Sequence, residues 1–110
     1  MERQFVKDWA PWVAAARYDA RKLAQLRCVS LRQLQRDFKR TLGRSPQDWL
    51  NEQRIVTARQ LLQAGFTIKQ VSIDLGYKQS SHFCRQFKTF SRMTPSQYAS
   101  RPFEPFVANR

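Results

Sequence analysis

The feature that most constrains this chain is a repeat inside it. Residues 31–49, LRQLQRDFKRTLGRSPQDW, align without a gap on residues 80–98, SSHFCRQFKTFSRMTPSQY, at a constant offset of 49. Leu34 falls on Phe83, Arg36 on Arg85, Phe38 on Phe87, Lys39 on Lys88, Pro46 on Pro95 and Trp49 on Tyr98. Upstream, KLAQLR falls on QVSIDL, with one extra residue in the second turn. Each copy reads as a short helix, a tight turn, a longer helix and then a Ser/Thr-Pro helix start. A helix pair joined by a short turn is a helix-turn-helix pattern. At 110 residues the chain can hold one compact domain, or two half-size units on a shared scaffold.

The apolar spacing is helical almost throughout, and no β-alternation of useful length occurs. The fold class expected is all-α, with about seven helices. Asp8 can cap a first helix from Trp9 to about Arg17, with Pro11 tolerated in its first turn. Asp19 can cap a second, about Ala20 to Arg27. Ser30 and Gln33 form a capping-box pattern that opens a third, about Leu31 to Leu42, stopped by Gly43. Ser45 and Pro46 open a long fourth helix that reaches about Gln63. Thr67 and Gln70 repeat the capping box for a fifth, about Ile68 to Leu75. A sixth runs from about Ser80 to Phe90, and Thr94-Pro95 starts a short seventh ending near Ala99. The single domain then divides into a first unit over 9–43, a linker helix over 46–63, a second unit over 67–99 and a tail over 100–110 holding two prolines.

The longer helix of each pair has two faces. At 100° per residue, Leu31, Leu34, Phe38 and Leu42 fall on one side and must be core. Arg32, Arg36, Lys39 and Arg40 fall on another, bordered by Gln33 and Gln35. In the second copy Phe83, Phe87 and Phe90 share the core side, and Ser81, Cys84, Arg85, Lys88 and Arg92 lie roughly opposite. Arg pairs with guanine edges, Gln with adenine, and small side chains allow close approach or touch a thymine methyl. One basic stripe alone is the ordinary solvated face of a helix. Two at matching places of a repeat point to a shared polyanionic surface. The linker helix, about 27 Å long, could hold the two units on one side of a duplex, where successive major grooves lie about 34 Å apart. Arg54 and Arg59 on that helix are expected to pair within the chain, for instance with Asp48 or Glu52.

Charge agrees with this reading. Twenty Lys+Arg against eight Asp+Glu give +12, and Arg outnumbers Lys by 14 to 6. Such an excess repels itself in a compact state unless a polyanion is the partner. A membrane surface would want a basic helix with a bare apolar face, and the apolar faces here are committed to a core. No run of about 18 apolar residues exists to span a bilayer, and from MERQFVKDW, which has no long apolar stretch after its charges, no secretory signal is expected. Cys28 and Cys84 are expected to be free thiols in a reducing compartment. His82 and Cys84 point about 200° apart on a helix, so no zinc site is expected there, nor any other metal or cofactor.

With these residues in place, the chain resembles the AraC/XylS family of bacterial transcription regulators. The run 54–98 carries the likeness at Arg54, Ala58, Leu61, Leu62, Ile68, Val71, Gly76, Tyr77, Ser81 to Phe83, Arg85, Phe87, Lys88, Thr94 and Pro95. The stretch LAQLRCVSLRQLQRDFKRTLGRSPQDWL is similar to the family's upstream helix-turn-helix. The resemblance covers about residues 9 to 99. It implies two helix-turn-helix units on a linker helix, entering adjacent major grooves of an asymmetric DNA site. It implies a regulator, most often an activator, either standing alone in the manner of MarA and SoxS or forming the DNA-binding end of a longer protein. The sequence departs from the family at Cys28, where the first turn often has Gly, at Ser72, where Ala is usual, and at Cys84 on the groove face.

The expected function is sequence-specific binding of double-stranded DNA, with RNA polymerase as a second partner and one chain per site. The setting expected is the bacterial cytoplasm, at the nucleoid. Two rivals differ in kind. A non-specific nucleic-acid binder would hold any duplex alike. An enzyme built on Cys84 or His82 would need a base, a carboxylate partner or a phosphate loop, and the sequence places none beside them.

Overall fold

The computed structural model describes residues 2–101, and within them the chain is helical without strands. The tail expected over 100–110 lies, from residue 102 on, outside the described residues. Seven helices follow one another: α1 (Glu2–Val13), α2 (Ala20–Leu26), α3 (Leu31–Leu42), α4 (Pro46–Gln63), α5 (Ile68–Asp74), α6 (Ser80–Ser91) and α7 (Pro95–Ala99). The chain divides into two compact units, residues 1–56 and 57–110, so the boundary falls within α4.

Five of the helix starts are set by short polar side chains. Asp19, Ser30, Thr67 and Thr94 each accept a hydrogen bond from the backbone N–H three residues on, and Ser45 does the same for α4 at 3.1 Å. These bonds satisfy donors that a helix start leaves orphaned. Thr67–Gln70 and Thr94–Gln97 close full capping boxes. Ser30–Gln33 closes half of one: Ser30 Oγ accepts from the Gln33 N–H, while the Gln33 side chain is turned to Asp37, its Nε2 donating to Oδ1 at 2.8 Å.

The first helix differs from expectation. It starts at Glu2, so Asp8 lies inside it and accepts from Gln4 rather than capping. Phe5, Trp9 and Val13 share one face, and burial of that face extends the helix past the capping signal. Pro11 sits near its exposed C-terminal end, two residues before Val13 closes it. The Lys7 carbonyl, whose helical partner would be the proline nitrogen, goes without that bond.

Each unit has its own core. In the first, Trp9, Ala16, Leu23, Leu34, Phe38, Trp49 and Leu50 are buried together. Phe38 is fully enclosed and meets the rings of Phe5, Trp9 and Trp49 at 4.9, 5.7 and 5.4 Å. In the second, Ala58, Leu62, Val71, Leu75, Tyr77, Phe83 and Phe87 are buried. Phe87 meets Phe83 at 5.7 Å and Tyr98 at 5.5 Å. The Phe38–Trp49 and Phe87–Tyr98 contacts are the same contact, repeated.

The turns also repeat, at a cost the sequence shows. In the turn after α2, Cys28 N–H bonds Gln25 O and Val29 N–H bonds Ala24 O; after α5, Gly76 bonds Ile73 O and Tyr77 bonds Ser72 O. This paired closure needs a left-handed residue at the first of the two positions. Gly76 takes it at φ +82°, and Cys28 at φ +56°. A Cβ in that conformation costs about 1–2 kcal/mol. Cys28→Gly is expected to raise the stability of the first unit by about 1 kcal/mol, part of the gain being offset by the freer unfolded chain. Urea unfolding checks this; a fall in stability would show that the Cys28 side chain makes up for its backbone.

Candidate nucleic-acid interface

Burial of Leu34 and Phe38 fixes how α3 is rotated. Residues displaced from them around the helix must face water, and Arg32, Gln35, Arg36, Lys39 and Arg40 are all exposed. Gln33 is half-buried at the border. Three members of this face are partly engaged. Gln33 holds Asp37, Arg40 lies 3.9 Å from the same carboxylate, and Lys39 Nζ lies 3.5 Å from the Gly43 carbonyl. The Arg40 pair is exposed and long, so it holds the side chain weakly. Arg32, Gln35 and Arg36 have no side-chain partner among the described residues.

In α6, buried Phe83 and Phe87 set the rotation in the same way. Ser81, Arg85 and Lys88 are exposed on the far side, and Arg85 and Lys88 make no side-chain bond among the described residues. Cys84 is half-buried, at the edge of the core rather than the centre of the face. Arg92 is not on this helix. It is the C-cap after Ser91, with φ +60°, and its N–H bonds the Lys88 carbonyl at 2.8 Å.

Two members of the second face were missed in the stripe drawn from sequence. His82 and Thr89 are exposed on the same arc. His82 packs edge-on against Tyr77 at 5.4 Å, and Thr89 Oγ1 donates to the Arg85 carbonyl at 3.0 Å. The repeat held the signal, since the offset of 49 places His82 on Gln33 and Thr89 on Arg40.

Other cations are spent inside the fold. Arg27 donates to the Asp8 carbonyl at 2.8 Å and stacks over Trp9 and Trp12. Arg54 and Arg59 do pair within the chain, though not with Asp48 or Glu52. Arg54 lies over the Tyr18 ring, while Arg59 donates to Ser91 Oγ at 3.0 Å and the Phe90 carbonyl at 3.4 Å. Asp48 and Glu52 are held by Arg44, at 3.0 and 2.6 Å. Burial works against the Arg44 charge, but hydrogen bonds and attraction to Glu52 and Asp48 outweigh it and raise its pKa. Arg44 closes the start of α4, where Asp48 also complements the helix dipole.

Among the described residues no group of three or more His, Cys, Asp or Glu could hold a metal ion, and no helix is long and apolar enough to cross a membrane. The two faces offer hydrogen-bond donors and positive charge on rigid helices.

Comparison with known proteins defines the class. A family profile described as a helix-turn-helix domain matches residues 23–101. The transcriptional regulator ArgR of Pseudomonas aeruginosa is 38% identical over 77 residues, which is 69% of this chain and 23% of that protein. The arabinose operon regulatory protein of Escherichia coli is 30% identical over 96 residues, 86% of this chain and 32% of that protein. A crystal structure of an AraC-type regulator from Chromobacterium violaceum superposes with a TM-score of 0.68 at 31% identity, covering 77% of this chain and 80% of that one. The fold is therefore that of an AraC-type DNA-binding domain. The chain belongs to the AraC/XylS family. It spans about a fifth to a third of the length of the curated relatives it matches.

The division between spent and unspent cations is testable without DNA. Arg59→Ala removes a partly buried bond to α6 and is expected to destabilise the second unit by about 1–2 kcal/mol. Arg85→Ala, on the exposed face, should stay within about 0.5 kcal/mol of the parent. Thermal unfolding of the two variants checks the contrast, and equal losses would contradict it.

Proposed function

We propose that the chain reads a specific, asymmetric DNA site as a monomer, with α3 and α6 as its two recognition helices in adjacent major grooves. The observation that carries this reading is the set Arg32, Gln35 and Arg36: three adjacent forked or amide side chains, exposed and unengaged, opposite a buried Phe38. Such groups cost little to turn toward base edges, since no internal bond must first be broken. Arg36 and Arg85 lie in the N-terminal halves of their helices, the part that meets bases in helix-turn-helix proteins. Gln33, Arg40, Ser81 and Cys84 border the two reading faces. Lys39 and Lys88 lie a turn further on, suited to the phosphate backbone. The two units differ at equivalent places, Arg32 against Ser81 and Gln35 against Cys84, so one chain would present two unlike half-sites. We infer that 9–43 and 67–99 act as the reading units and 46–63 as their linker. Recruitment of RNA polymerase, and hence activation, completes the proposal.

Arg36→Ala is expected to cost about 1–3 kcal/mol on the preferred duplex and to relax choice at one or two base pairs. Lys88→Ala should weaken every duplex alike and reduce the slope of log affinity against log salt by about 1. Duplexes selected from a random pool, then a panel of single-base variants, supply the measurement. Uniform loss across the panel for Arg36→Ala would make it a backbone contact and favour a non-specific binder.

A further inference from the structure

Both long helices end in a left-handed residue whose N–H bonds the carbonyl four positions back: Gly43 to Lys39 after α3, Arg92 to Lys88 after α6. Glycine adopts this backbone freely, whereas a residue with a Cβ is held in it under strain. The first unit meets the demand with Gly43 at φ +72°, and the second keeps an arginine there at φ +60°. Three things that could repay arginine for this position are absent or already supplied. Among the described residues its guanidinium has no ion pair or hydrogen bond. The Phe90 carbonyl at the end of α6 already has Arg59, which also donates to Ser91 Oγ. The helix dipole already has Lys88 in the last turn. Lys88 differs from its counterpart as well: Lys39 leans on the carbonyl of its own cap at 3.5 Å, and Lys88 makes no such bond. The end of α6 therefore carries two exposed, unspent cations one turn apart, whereas the two in the last turn of α3, Lys39 and Arg40, are both partly engaged.

We propose that Lys88 and Arg92 form an anion clamp that grips the DNA sugar-phosphate backbone, and that Arg92 holds a strained position because of it. The inference rests on the reading of the chain as a DNA binder. It adds an unequal division of labour, in which the second unit holds the duplex and the first does more of the reading. The strained and internally unrewarded conformation of Arg92 is the outlier from which this role is inferred.

The decisive variant moves two observables in opposite directions. Arg92→Gly is expected to raise the melting temperature by about 2–6 °C. The same protein should bind a duplex of unselected sequence about five- to tenfold more weakly near 0.1 M salt, with a salt slope shallower by about 0.9. Arg92→Lys should keep most of the affinity and none of the thermal gain, since it retains charge and Cβ alike. Arg92→Asn tolerates the left-handed backbone without the charge and should follow the glycine variant. If Arg92→Gly binds with unchanged affinity and slope while the parent binds DNA steeply with salt, the clamp is wrong and the DNA-binding reading stands. If the parent binds no duplex, both fall. If Arg92→Gly melts lower than the parent, arginine is stabilising there and the argument from strain fails.

Discussion

One aromatic contact organises each unit. Phe38 against Trp49, and Phe87 against Tyr98, pin the long helix of each pair to the Pro-initiated helix that follows it. Burying a large aromatic side chain is worth about 1.5–3 kcal/mol, whereas an exposed ion pair contributes about 0–1. The rings therefore decide how α3 and α6 are rotated, and the polar residues take whatever face remains. The outward arc of Arg32, Gln35 and Arg36 exists because Leu34 and Phe38 point the other way. Disturbing the core would misdirect the surface without changing a single surface residue.

The repeat is conserved between its two copies in frame and divergent in surface. Turn closures, aromatic pairs and the caps of α2/α5 and α4/α7 recur at nearly fixed offsets, while the Ser30 cap of α3 has no side-chain counterpart at Gln79 of α6. What differs is the side chains set on that frame: guanidinium and amide groups along α3, hydroxyl, imidazole and thiol groups along α6. Even the left-handed turn residues are divided unevenly, glycine in one copy standing against cysteine or arginine in the other. An identical scaffold carrying unlike contacts is what a single chain needs to recognise a target without a two-fold axis.

Most of the helix plan was legible because its boundaries are local. Ser30, Ser45, Thr67 and Thr94 announce starts, and Gly43 announces a stop, without reference to distant contacts. The start of α1 was not legible, since Asp8 and Pro11 mimic a boundary that burial of Phe5 and Trp9 overrides. The face of α3 was readable from helical spacing alone. That of α6 was read incompletely: His82 and Thr89 are not basic and escaped a search for charge, while Arg92 was placed on a helix that ends one residue before it. The partners of Arg54 and Arg59 were hidden because a ring and a carbonyl leave no mark in a charge pattern. The acids assigned to them go to Arg44, which the i,i+4 spacing of Arg44 and Asp48 signals in retrospect.

The scarcity of acid has a consequence for how this molecule responds to its medium. Of the eight carboxylates, Asp37, Asp48 and Glu52 engage Arg40 and Arg44, leaving most of the positive charge to repel itself across a small body. Dissolved ions screen that repulsion, within about 8–10 Å at physiological strength. They also compete for the phosphates that would neutralise it. On the proposed reading, ionic strength would pull the free and the bound protein in opposite directions, tightening the fold while loosening the complex. The duplex would then act as the counterion the chain does not carry, and the protein would be best balanced with it in place.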